Sequence, residues 1–140
     1  MIDPIALTRQ LIDIPSTTDN EAAVAEFLEG ELTRLGFGCR RQVVADSRFN
    51  LFASAGGKPR VIINSHLDTV PPWFESREDN EFVYGRGACD TKGVYAAMIA
   101  AAERLRQRGI NDFAFLFVVG EETDSVGAKA ANAEFAGLGS

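Results

Sequence analysis

The stretch Phe113-Ala114-Phe115-Leu116-Phe117-Val118-Val119 constrains the fold more than any other. Seven apolar residues in a row are far fewer than the roughly 20 a membrane span needs, and they suit a central strand covered on both faces. Gly120-Glu121-Glu122 follows at once, so two carboxylates stand at the carboxyl end of that strand.

Other segments read as helices and strands around it. Asp3 before Pro4 is an N-cap with proline at the first helical position, and Leu7, Leu11 and Ile14 keep helical spacing until Pro15. Thr18-Asp19-Asn20-Glu21 reads as a capping box for a second helix. Its apolar stripe is Val24, Phe27, Leu28, Leu32 and Leu35, with Glu26, Glu29 and Arg34 solvated and Gly36 ending it. Residues 37–45 and 49–54 are β-like, and Gly56-Gly57-Lys58-Pro59 turns the chain. Val61-Ile62-Ile63 suits a short strand buried on both faces. A helix over 91–108 carries Val94, Ala97, Met98, Ala101 and Leu105 on one face, with Arg104, Arg106 and Arg108 complementing its dipole and Gly109 closing it. An alanine-rich helix covers about 125–135. Strands alternating with helices predict an α/β domain with a largely parallel sheet, in which ligands bind beyond the carboxyl ends of strands.

At 140 residues the chain is one domain at most. A chain this size buries about two-thirds of its unfolded surface, enough for a core. The 46% hydrophobic and 24% charged fractions are those of a soluble globular protein. A net charge of −6, with no basic cluster longer than Arg40-Arg41, makes nucleic acid and anionic membranes poor partners. The start has no basic and apolar signal pattern, and Cys39 and Cys89 make no disulfide framework, so a reducing cytoplasm is the expected setting.

Three stretches carry the chemistry. His66, the only histidine, follows the Val61–Ile63 run, with Asp68 two residues on. A metal-bound imidazole gives its second N–H to a carboxylate or carbonyl, which Asp68 can supply, although Asp68-Thr69 before Pro71-Pro72 also suits a plain turn. Asp90 lies among Gly85, Gly87 and Gly93. By itself it reads first as an N-cap, yet the glycines permit a closer approach than a cap requires. Glu121 and Glu122 repel each other near a core, and keeping both ionised calls for a cation, unless Gly120 begins an ordinary surface turn. Cys89 reads as a small residue packed beneath its loop rather than a thiolate ligand. Lys92 either pairs with a carboxylate, carries substrate charge or is solvated.

In series, His66-x-Asp68, Gly87-Ala88-Cys89-Asp90-Thr91-Lys92-Gly93 and Gly120-Glu121-Glu122 closely resemble the dinuclear-zinc amidohydrolases that include acetylornithine deacetylase, succinyl-diaminopimelate desuccinylase, aminoacylase and glutamate carboxypeptidase. The resemblance runs from the first helix to about Ala130. It implies a three-layer αβα zinc-peptidase-like catalytic domain and two Zn²⁺ (or Co²⁺). It further implies His66 as terminal ligand to one zinc, Asp68 orienting its ring, and Asp90 bridging both metals through a residue whose peptide to Thr91 is cis. Glu121 is then the general base toward the hydrolytic water, Glu122 binds the second zinc, and His66→Ala strips the first.

The family also uses a downstream carboxylate and a far histidine, and this chain has no second histidine. Residues 1–140 therefore read as the N-terminal portion of the catalytic domain, with the dimerisation domain and the C-terminal part of the catalytic domain absent. The implied activity is hydrolysis of an amide bond in an N-acyl amino acid or small peptide by a full-length homodimer, the 140-residue piece binding zinc weakly and turning over little. The short stretch between Pro72 and Gly85 leans toward an acetylornithine or acetyl-lysine deacetylase. A carboxypeptidase or dipeptidase, a non-catalytic interaction module and a metal-free structural domain remain alternatives.

Overall fold

A computed structural model describes residues 1–135. Its elements are α1 (Pro4–Ile12), α2 (Ala22–Arg34), β1 (Gly38–Ala45), β2 (Arg48–Ser54), β3 (Val61–His66), β4 (Arg77–Glu78), β5 (Val83–Tyr84), α3 (Gly93–Gln107), β6 (Phe113–Val118) and α4 (Val126–Phe135). The Asp3 cap holds as read, its carboxylate accepting from the Ile5 and Ala6 amides.

The apolar run does become a central strand. β6 is buried at every residue and sits between β2 and β3 in a sheet ordered β1-β2-β6-β3. Alternation of side chains sends Phe113, Phe115 and Phe117 into the cluster that holds Leu11, Leu28, Tyr95 and Ile99 of α1, α2 and α3. Ala114, Leu116 and Val118 face the other way, against Ala131 and Phe135 of α4. Helices thus cover both faces, and the three-layer α/β expectation is met.

Four details differ from the sequence reading. The sheet is mixed rather than largely parallel: β3 and β6 are parallel, but β1–β2 and β2–β6 are antiparallel. Only β3–α3–β6 has a helix long enough to bring the next strand back in the same direction. β1 and β2 are joined by a tight turn in which Asp46 adopts φ 45°. Second, β3 is an edge strand among the described residues, and Val61 is 56% exposed rather than buried on both faces.

Third, the Thr18–Glu21 capping box does not form. α2 begins at Ala22 after Glu21, which makes no side-chain cap. Glu21 is fully buried and takes Arg48 in a fork, Nε at 2.9 Å and Nη2 at 2.8 Å. A bidentate guanidinium 27 residues away is a stronger partner than the local amide. Fourth, the buried face of α3 is Tyr95, Ala96, Ile99, Ala100 and Ala102, while Val94, Ala97 and Ala101 are exposed. Alanines punctuate this helix on every side, so the large Tyr95 and Ile99 side chains decide its rotation. Among the described residues no helix is long and apolar enough to cross a membrane.

Candidate metal centre

His66 ends β3, paired with Val118 at the end of β6, so it and the Gly120–Glu122 turn leave the sheet side by side. This is where parallel neighbours open a crevice. The ring of His66 is fixed at both nitrogens. Nδ1 lies 2.9 Å from the main-chain oxygen of Asp68, and Nε2 lies 3.0 Å from Asp90 Oδ1 and 3.7 Å from Glu121 Oε2.

Asp90 reaches that position from an irregular turn, Ala88–Lys92, whose Asp90–Thr91 peptide is cis as the resemblance implied. Its side chain is not the cap of α3, which begins at Gly93. Ligand atoms of His66, Asp90 and Glu122 all lie within 4.8 Å of one another. One imidazole nitrogen and two carboxylates on so small a centre fit a divalent metal cation. Asp90 and Glu121 are 73% and 50% exposed, so the centre opens outward. It borders a cleft of about 470 Å³ lined by Val70, Phe74, Tyr84, Arg86 and Cys89.

Asp68 meets the ring through its backbone. Its carboxylate Oδ1 stands 3.5 Å from His66 Nδ1, while the ring's closer partner is the Asp68 carbonyl. The carboxylate instead accepts the amides of Glu121 (Oδ1, 3.0 Å) and Glu122 (Oδ2, 3.0 Å), and the Thr18 hydroxyl at 2.9 Å. Thr18 is brought there because the segment after α1 pairs with Thr69. Nothing in its local sequence announces this.

The charges respond as the geometry requires. Burial disfavours the His66 cation, but its hydrogen bonds to Asp68 and Asp90 and the Glu121 charge outweigh it and raise the imidazole to about 9. Burial acts against Asp68 ionisation too, and the His66, Glu122, Thr18 and Glu121 partners overcome it, lowering the carboxyl to about 2. Burial first, then the Asp90 charge, raise Glu122 above the usual carboxylate range. A bound cation reverses that direction.

Two loop residues fall elsewhere than expected. Cys89 is exposed on the cleft rather than packed beneath its loop. Lys92 is buried and donates to the carbonyls of Leu11 and Ile14, at 2.8 and 2.7 Å, tying the loop to the end of α1. It is not solvated.

Residues 62–138 match the peptidase family M20/M25/M40. Over 138 residues the chain is 41% identical to a probable carboxypeptidase of Emericella nidulans, a match covering 90% of this chain and 32% of that protein. It is 32% identical to a succinyl-diaminopimelate desuccinylase of Ehrlichia canis, over 86% of this chain and 35% of the other. Among solved structures, a tripeptidase from Staphylococcus aureus superposes with a TM-score of 0.78 at 26% identity, over 94% of this chain and 39% of that one. The chain spans about a third of the length of the curated relatives it matches.

Proposed function

The chain belongs to the peptidase family M20/M25/M40, and from that premise we propose that it carries part of the metal centre of an enzyme hydrolysing an amide bond in a small peptide or N-acyl amino acid. The observation that carries this reading is the convergence of His66, Asp90 and Glu122 within 4.8 Å, with the Glu121 carboxylate beside them. His66, Asp90 and Glu122 would hold zinc or cobalt in a site that further parts of a longer catalytic domain complete. Cations bound there supply Lewis acidity toward an amide carbonyl and toward water.

The protein's own groups then do the following. His66, its Nδ1 engaged by the Asp68 carbonyl, presents Nε2 to the centre. Asp68 fixes the amides of Glu121 and Glu122 and so aims both side chains. Glu121 takes a proton from the attacking water on its carboxylate and passes it to the leaving amine. The cleft between Phe74, Tyr84 and Arg86 receives the substrate beside that centre.

The carboxypeptidase form of the reaction stands ahead of the acetylornithine or acetyl-lysine deacetylase form, because a 41% identical relative is described as a probable carboxypeptidase. The desuccinylase relative favours the N-acyl amino acid as second substrate class.

The test uses this chain extended to the length of its relatives with the remaining catalytic-domain segments, loaded with zinc or cobalt. N-blocked dipeptides are compared with N-acetyl and N-succinyl amino acids, beside a Glu121→Gln variant. Loss of about 10²–10⁴ in rate in the variant, with metal content retained, is the expected result. Unchanged hydrolysis in the variant contradicts the role of Glu121, and release from neither class contradicts the reaction.

A further inference from the structure

Four consecutive main-chain amides at the end of β6 are each met by a fully buried side-chain oxygen. Val119 N–H donates to Asn50 Oδ1 at 3.0 Å, and Gly120 N–H to Glu21 Oε1 at 3.1 Å. Glu121 and Glu122 N–H donate to the two carboxylate oxygens of Asp68, both at 3.0 Å. Asn50, Glu21 and Asp68 are each 0% exposed. Strand amides ordinarily pair with a neighbouring strand and turn amides with water, so four in a row held by buried side chains are a built feature.

The four oxygens come from three residues on separate elements: Glu21 from the start of α2, Asn50 from β2, Asp68 from the turn after β3. Arg48 locks Glu21 in its fork and also pairs with Asp19 at 2.6 Å. Asn50 spends its amide hydrogens on the Gly127 carbonyl and Gln42 Oε1, which fixes the orientation of its oxygen. The fit leaves no slack. A Cβ on Gly127 would lie 2.5 Å from Asn50 Oδ1, and one on Gly120 would lie 2.9 Å from Arg48 Nη2.

We infer that Glu21 and Asn50, with Arg48 behind Glu21, are positioning residues: they set the course of Val119–Gly120 and thereby aim the Glu121 and Glu122 carboxylates. None of the three touches the metal centre. Charge-assisted acceptance by Glu21 makes its bond to Gly120 stronger than one to a neutral acceptor, and a displacement of about 1 Å in a supporting loop is enough to spoil such a site. The inference rests on the proposed metal centre for its consequence and on the amide frame for its substance, and the two are tested separately.

The experiment follows amide hydrogen exchange at residues 119–122 in this chain, wild type against Glu21→Leu and Glu21→Gln. A Co²⁺ absorption titration runs beside it. Glu21→Gln keeps an oxygen for Gly120 but turns an NH₂ toward Arg48 Nε, so it restores part of what Glu21→Leu removes. In Glu21→Leu, exchange at Gly120 and Glu121 accelerates at least tenfold while the β6 core amides stay protected, and the Co²⁺ spectrum weakens and changes shape. Glu21→Gln recovers part of both. Wild-type amides at 119–122 exchanging at open-loop rates, or equal protection in wild type and Glu21→Leu, overturn the inference. If Glu21→Leu does not fold, Arg48→Lys, which keeps the charge and loses the fork, must show the same local acceleration, and its absence overturns the inference as well. A wild-type chain that shows the exchange pattern but no Co²⁺ spectrum defeats the metal reading and leaves the frame standing.

Discussion

The main-chain oxygen of Asp68 holds Nδ1 of His66 at 2.9 Å, while the Asp68 carboxylate is engaged by the amides of Glu121 and Glu122. One residue thus orients the imidazole with its backbone and the two glutamates with its side chain. Ring and carboxylates are held in common register by a single buried turn.

That division of labour separates two effects in one substitution. Asp68→Asn keeps the carbonyl but puts an NH₂ where one glutamate amide needs an acceptor. It should lower stability by about 1–3 kcal/mol, read from urea unfolding, because a buried donor is left unmet. The His66 tautomer, read from ¹⁵N shifts of the metal-free protein near pH 10, should stay as in wild type. A changed tautomer would show that the carboxylate, not the carbonyl, sets the ring.

Proton and metal compete for His66. In the metal-free chain the imidazole is raised to about 9 from 6.5, so its stabilising contribution is fully present below pH 6.5 and is lost as pH rises through about 9. His66→Gln should abolish that part of the pH dependence of unfolding. Apparent affinity for zinc should climb between pH 6.5 and 9 and flatten above, since the ligand must shed its proton first. An affinity independent of pH over this interval would contradict the assigned ligand.

Gly120 takes φ +71°, with Arg48, Val126 and Asp124 side chains around its α-carbon. Gly120→Ala should cost about 1–2 kcal/mol for the left-handed backbone alone, with a further loss from displacing Arg48. Thermal unfolding checks the total, and a neutral substitution would mean the turn is looser than described.

Lys92 offers a case in which stem and charge can be separated. Lys92→Met preserves the buried stem but deprives the Leu11 and Ile14 carbonyls of their donor, and should destabilise by about 1–3 kcal/mol in urea. No change would place these carbonyls in contact with water.

The sequence made the candidate centre legible because its ligands follow strand ends or glycine-rich turns, where the fold class puts binding sites. His66, Asp90 and Glu122, the ligands that the family resemblance implied, lie together. What stayed hidden were the long-range partners. Glu21 reads as a local cap, and only folding brings Arg48 and the Gly120 amide to it. The hairpin of β1 and β2 was invisible for a related reason. Its turn uses Asp46 at φ 45° rather than a glycine, so two β-like segments gave no sign of their antiparallel pairing. The rotation of α3 was lost because alanine is compatible with either face.

The most direct measurement is metal content by elemental analysis after zinc or cobalt loading of this chain and its His66→Ala variant. The account predicts a weakly held ion in the wild type that is absent from the variant. Equal metal in both, or none in either, would contradict a centre built on His66, Asp90 and Glu122.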